Sequence, residues 1–276
     1  MVEYDFQSDR AMPQAPPLSR TQSAADEEDL NFGLRALAET VVGALTVDEL
    51  LAHVADFTRH AVPGADGAGV AVVDSGAGPA RIRSGAVTAT FVQGIDALQY
   101  EVHHEGPSIA SMHTRRPSIS GSLSTDDRWP HFGGAVARLG VHSALSLPLV
   151  VYDRVIGTID AYAYSHDAFA AHAVELGARF AGTAAVSLFN AQLLAEAQHR
   201  ARHLQRAMIS RSVIDQAIGI VRGQSGDGAE AAFGRLVRIS QSTNTKLNVV
   251  AQRVVEESVR RGRARHEHDR MWPSED

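Results

Sequence analysis

From Phe169 to about Val221 the apolar residues of this chain keep helical spacing with at most brief interruptions, and partway along the run the apolar face moves. Leu194, Ala197, Ala201, Leu204 and Met208 follow a 3-4-3-4 pattern. That is the seam of a short coiled coil, formed between two chains or against another helix of the same chain. At Arg211 and Asp215 the seam turns polar, and Ile214, Ala217, Ile218 and Val221 take over. A helix that changes its buried face has passed into a different packing environment. Two domains are therefore expected, with a helical linker at 191–206 between them, and a chain of 276 residues is long enough for both.

Upstream of the linker, residues 1–28 are rich in proline, run into the acidic stretch DEED at 26–29 and lack apolar periodicity, so a flexible arm is expected there. From Asp29 onward, Leu34, Leu37, Ala38, Val41, Val42 and Leu45 mark one face of a helix. Thr46 and Glu49 have the spacing of a capping box, and Val47, Leu50, Leu51, Val54 and Phe57 form the stripe of the helix that follows. The period then changes. GVAVVDS reads as a strand, and ALSLPLVVYDRVIGTIDAYA as two strands around a Tyr-Asp-Arg turn. Residues 84–142 read as loops with short helices. The first domain, 29–190, is accordingly an α+β fold, a mainly antiparallel sheet with flanking helices.

Downstream, DGAEAAFGRLVRIS places Ala229, Ala232, Phe233, Leu236 and Val237 on one helical face, and TKLNVVAQRVVEES does the same with Leu247, Val250, Ala251, Val254 and Val255. Each stripe is one face wide, so the end of the long helix and these two must cover one another. The expected second domain is an all-α three-helix bundle at 207–260, followed by a polar tail at 261–276. Phe233, the bundle's one aromatic, is expected inside it.

Charge separates the same two regions. Residues 1–197 hold 12 basic and 23 acidic side chains, and residues 198–265 hold 13 and 5, within a chain of net charge −6. A basic block in an acidic protein is the footprint of a polyanion site. With the apolar faces assigned, Arg211 and Arg222 share one face of the first helix, three turns apart. Arg235 and Arg238 neighbour each other on the second, and Lys246 and Arg253 lie on the third. The planar fork of arginine suits phosphate oxygens, and a patch drawn from three helices could follow a folded nucleic acid.

IDQAIGIVRGQ, AEAAFGRLVRIS and TNTKLNVVAQRVV closely resemble the ANTAR domain, an RNA-binding output module of bacterial transcription antiterminators. The likeness covers about 207–258. It rests on the A-x-G of Ala217 and Gly219, the A-x-F-x-x-L that contains Phe233 and Leu236, and the N-x-K-L from Asn244 to Leu247. DALQYEVHHEGPSIA, DDRWPHF and SLPLVVYDRVIGTIDAYA are similar to the GAF domain that precedes ANTAR in many actinobacterial regulators. This resemblance implies a protein that binds paired stem-loops in nascent RNA and favours an antiterminator over a terminator. It also implies close packing around Ala217 and Gly219, with Leu247 and Ala251 in the bundle core. Ile218 stands where many relatives have lysine, and Val237 where arginine is frequent. In the sensor half, Ser108 stands where cysteine is common and Gly121 where aspartate is common. GAF domains often take small ligands, and the sequence leaves the identity of one here unknown.

Other classes are weakened. The chain has no cysteine, which removes disulfides, thiolate catalysis and cysteine-ligated zinc and suits a reducing cytoplasm. No apolar run approaches the ~20 residues of a membrane helix, and MVEYDFQSDR does not begin a signal peptide. The thirteen histidines are scattered, including the adjacent His103 and His104 and the tail's HEHD, so no metal site and no cofactor is expected. Neither a G-x-S-x-G nor a phosphate-binding loop is present, and an enzyme is not expected. Trp129 reads as core packing. Two alternatives remain open: a DNA-binding regulator that uses the last two helices as a helix-turn-helix, and a dimeric scaffold whose bundle binds a protein.

Overall fold

The structure, a computed structural model, describes residues 19–39, 45–73 and 82–271. Val41 and Val42 of the expected first stripe, and the side chains of HEHD, lie outside the described residues. The chain divides into two compact units, Met1–Glu196 and Ala197–Asp276.

The first unit opens with α1 (Arg20–Glu39), which starts before Asp29 and so takes in the acidic run assigned to the arm. Within that run Asp26 is buried; it accepts from the Gln22 amide at 2.9 Å, and His172 Nε2 lies 3.3 Å away. Leu30, Gly33 and Leu37 face inward. The next helix, α2 (Val47–Ala61), has its capping box in place: Glu49 N–H donates to Thr46 Oγ1 at 3.2 Å, and Thr46 N–H donates to Glu49 Oε2 at 2.7 Å. Leu50, Leu51 and Val54 are buried as their spacing predicts.

Five strands follow: β1 (Gly67–Val73), β2 (Ile82–Val87), β3 (Ser118–Ser120), β4 (Ser143–Val151) and β5 (Arg154–Ala163). They form one antiparallel sheet in the order β2-β1-β5-β4-β3. β2 and β3 sit in stretches the sequence reading left as turns and loops. Tyr152 and Asp153 turn the β4–β5 hairpin with φ of 48° and 59°, the paired left-handed geometry that matches strand twist.

Between β2 and β4 run α3 (Thr90–Ala97), a π-helical turn (Leu98–His103), α4 (Pro107–Thr114), a 3-10 turn (Leu123–Thr125) and α5 (Pro130–Ala137). His103 and His104 therefore close a helical turn and do not lie on a strand. The sheet separates two cores. Leu145, Leu147, Leu149, Ile159 and Ala161 pack with α1, α2 and the first part of α6 (Ala171–Ser225). Their strand neighbours Ala144 and Tyr162 face the other way, against Val92, Ile95, Phe132, Val136 and Trp129. Trp129 is buried in that second core, with the Arg128 guanidinium 4.3 Å from its ring centroid.

The second unit holds the end of α6, α7 (Ala229–Ser242) and α8 (Leu247–Met271). Ala217, Leu236, Val250 and Ala251 are its buried centre, with Val213, Ile214, Ile218, Val221, Leu247, Val254 and Val255 packed around them. This is the expected three-helix bundle. Residues 261–271, read as tail, continue α8 as helix. Among the described residues no helix is long and apolar enough to cross a membrane.

Candidate nucleic-acid interface and sensor interior

The bundle's basic residues lie where the apolar stripes leave them. Arg211, Arg222, Arg235, Arg238, Lys246 and Arg253 are all exposed. Arg235 Nη1 reaches Asp227 Oδ2 at 3.4 Å across the α6–α7 connection. Lys246 stands just before α8, where its carbonyl accepts from Val249 and Val250 N–H, so it marks the start of that helix and not its body. Arg238 lies back along α7, its Nη1 3.8 Å from where a Cβ on Gly234 would be.

Two motif residues are placed differently from expectation. Gly219 does not serve close packing within the described chain: it is exposed, and a Cβ there would meet nothing within 4 Å. Two residues past Ala217 is about 200° around the helix, so when Ala217 faces the core Gly219 faces away. Phe233 is 42% exposed and not buried. Ala232 and Leu236 occupy the centre of the α7 stripe, and Phe233 is left at its edge. Ala217, Leu236 and Ala251 are fully buried, and Leu247 packs against them. Ile218 also packs against the core, which suits an apolar residue at that position. Val237 is half-buried.

The first unit contains a second site that sequence reasoning missed. On β5, Thr158, Asp160 and Tyr162 alternate with the core residues Ile159 and Ala161, so they share the opposite face of the sheet. Ser146 on β4 lies directly across from Asp160. Ser108, at the start of α4, donates from Oγ to Asp160 Oδ1 at 2.5 Å and lies 3.3 Å from Ser146 Oγ. Gln99 of the π-helical turn donates from Nε2 to Ser108 Oγ at 2.6 Å and accepts from Ser108 N–H at 3.0 Å. Gly106 makes that approach possible: its φ is 144°, and a Cβ there would strike the Gln99 amide. Thr158 Oγ1 adds a 3.2 Å bond to Asp160 Oδ1.

Asp160 is buried, and burial pushes its carboxyl up to about 6 against the hydrogen bonds from Ser108, Ser146 and Thr158. Asp96, at the end of α3, is pushed further, to about 8, by burial and by the charge of Asp160. The hydroxyls of Tyr100 and Tyr162 are raised well above their ordinary value, by burial first and then by Asp160. Among the described residues, Asp96 Oδ1, Tyr100 Oη and Tyr162 Oη are buried and meet no hydrogen-bond partner. The interior on this side of the sheet is therefore a buried polar cluster whose carboxyls are pushed toward their protonated forms. Its signal in the sequence was the aspartate inside an otherwise apolar strand, GTIDAYA, flanked at period two by threonine and tyrosine.

Comparison with known proteins matches residues 44–188 to the GAF domain and residues 202–255 to the ANTAR domain. No curated protein sequence matches the chain. Among solved structures, the chain is similar to the GAF domain of a phosphoenolpyruvate-protein phosphotransferase from Coxiella burnetii, at 15% identity and a TM-score of 0.48, covering 63% of this chain and 98% of that one. It is also similar to the GAF domain of the Acinetobacter phosphoenolpyruvate-protein phosphotransferase, at 11% identity and a TM-score of 0.44, covering 64% and 97%. A third is free methionine-R-sulfoxide reductase from Neisseria meningitidis, at 14% identity and a TM-score of 0.46, covering 67% and 99%. The chain belongs to the GAF-domain family, and an ANTAR domain follows its GAF domain.

Proposed function

We propose that this protein is a signal-responsive RNA-binding regulator of transcription antitermination, acting in the cytoplasm on paired stem-loops of nascent RNA. One observation carries the reading: the segment that matches ANTAR folds so that Ala217, Leu236, Leu247 and Ala251 pack in its core while six basic side chains on its three helices and at the start of the last stay exposed. No covalent chemistry is needed. Terminator and antiterminator are mutually exclusive RNA folds, and a protein that binds one of them shifts the balance by its differential affinity.

The GAF domain supplies the signal, with a small molecule as the input and the polar cluster around Asp160 and Tyr162 as the interior that responds to it. The protein works as a homodimer. Leu204 and Met208, exposed at 67% and 74%, extend the row of Ala197 and Ala201 on α6 that a second copy of the helix would cover.

The test is binding of the full chain to a tandem stem-loop RNA across a salt titration, with scrambled RNA and duplex DNA as competitors. Four phosphate contacts give a log–log slope of about −3. Selective binding with such a slope, lost in Arg211→Glu, supports the reading. Displacement of the RNA by duplex DNA points to a DNA regulator. No binding at low salt, by the full chain or by residues 198–276 alone, sinks both.

A further inference from the structure

Phe233 is the one Phe, Tyr or Trp between residues 197 and 271, and it is 42% exposed on a bundle whose core is closed by alanine, valine, leucine and isoleucine. A phenyl ring left at the edge of a stripe, within a strongly basic unit, offers what an unpaired base needs, a flat apolar face beside positive charge. Its basic neighbours on α7 differ in availability. Arg235 is held by Asp227, whereas Arg238 has no carboxylate within ion-pair distance among the described residues. The Arg238 guanidinium folds back over Gly234, the residue that follows Phe233. Gly234 is one residue and about 100° around α7 from Phe233, so the guanidinium stands a quarter-turn from the phenyl ring at the same level of the helix, an arrangement suited to a nucleotide whose base and phosphate are bound separately.

We propose that Phe233 is a stacking platform for an unpaired loop base of the RNA, with Arg238 holding the adjoining phosphate. This rests on the RNA reading above and adds where on the RNA the bundle binds. The phosphate-facing arginines grip the stem, and α7 reads the loop. It also gives the exposed ring a role in a bundle whose core does not need it.

The experiment measures binding of the full chain and three variants to two RNAs: a tandem stem-loop with unpaired loops, and a continuous duplex of the same stem sequence. Phe233→Leu keeps an apolar side chain of similar size but removes the aromatic face. It should weaken loop RNA about tenfold, with the salt slope unchanged and duplex binding unaffected. Phe233→Tyr should stay within about twofold of the parent, since the stacking face is retained. Arg238→Gln should weaken loop binding and reduce the magnitude of the salt slope by about 0.7–0.9, one phosphate contact. Sedimentation and helical circular dichroism should be unchanged in all three.

Wild-type-like loop binding by Phe233→Leu overturns the proposal while leaving the RNA reading intact. So does equal weakening on loop and duplex RNA, and so does a fall in the sedimenting mass of Phe233→Leu, which would assign the ring to a contact with a second copy. Failure of the parent chain to bind either RNA overturns the RNA reading and this proposal together.

Discussion

Replacing Asp96 by asparagine should flatten the pH dependence of stability in the first unit. Asp96 sits at the end of α3 with Oδ1 buried and without a hydrogen-bond partner among the described residues, and burial together with the Asp160 charge raises its carboxyl to about 8. In the unfolded chain it would titrate near 3.8. Between those values the folded state holds a proton that the unfolded state has lost, so stability is fully present below about pH 4 and declines as pH rises through 8. At pH 7 the folded carboxyl is about nine-tenths protonated, which gives a slope of about −1.2 kcal/mol per pH unit from this residue. Asp160, raised to about 6, adds a slope of the same sign at lower pH. Asparagine is a neutral isostere of the protonated acid and has no slope. The gap between variant and parent should therefore widen in the variant's favour by about 2.5 kcal/mol from pH 5 to pH 7. The assay is urea unfolding at pH 5, 6, 7 and 8 in a Trp272→Phe background, followed by the fluorescence of Trp129, which is buried in the same core as Val92 and Ile95 of α3. Parallel profiles for variant and parent would mean that Asp96 is ionised in the folded protein, and the account of this interior would fail.

Leu236→Ala removes a fully buried side chain from the bundle centre. The expected cost of about 2–5 kcal/mol rivals the stability of so small a unit, so hydrogen-exchange protection across 229–259 should collapse while that of β4 and β5 persists. Thr46→Ala breaks the capping box of α2 and should cost ~1 kcal/mol in chemical unfolding. The backbone N–H of residue 46, the main group holding the Glu49 carboxyl below its usual value, is kept in the variant. Only the Thr46 Oγ1–Glu49 Oε2 bond is both lost and charge-dependent, so its contribution is present at neutral pH and lost as pH falls through the lowered value. The gap between variant and parent should narrow in acid without closing, because the lost bond from Glu49 N–H to Thr46 Oγ1 does not titrate. Inserting two residues after Ala201 shifts the helical phase of α6 by about 200°. RNA affinity measured on residues 198–276 carrying the insert should persist, while signal-dependent regulation in a terminator-reporter strain should be lost. Unchanged regulation would separate the long helix from signalling.

The sequence by itself determined what depends on periodicity and local chemistry. The long helix and the shift of its buried face, the Thr46–Glu49 cap, the β4–β5 hairpin and the stripes that meet at Ala217, Leu236 and Ala251 follow from residue spacing, because neighbours in sequence set them. The early start of α1 was hidden because DEED has no apolar period, and it is the distant His172 that helps hold Asp26 inside. The short edge strand β3 exists only because β4 is there to pair with it. Phe233 and Gly219 were misplaced for a related reason: a helical face is about 100° wide, and tertiary packing alone decides whether a residue at its margin is covered. The polar interior belongs entirely to tertiary structure. Asp96, Gln99, Ser108, Ser146 and Asp160 come from five separate elements, and only the folded sheet brings them close enough for burial and mutual charge to move their proton affinities.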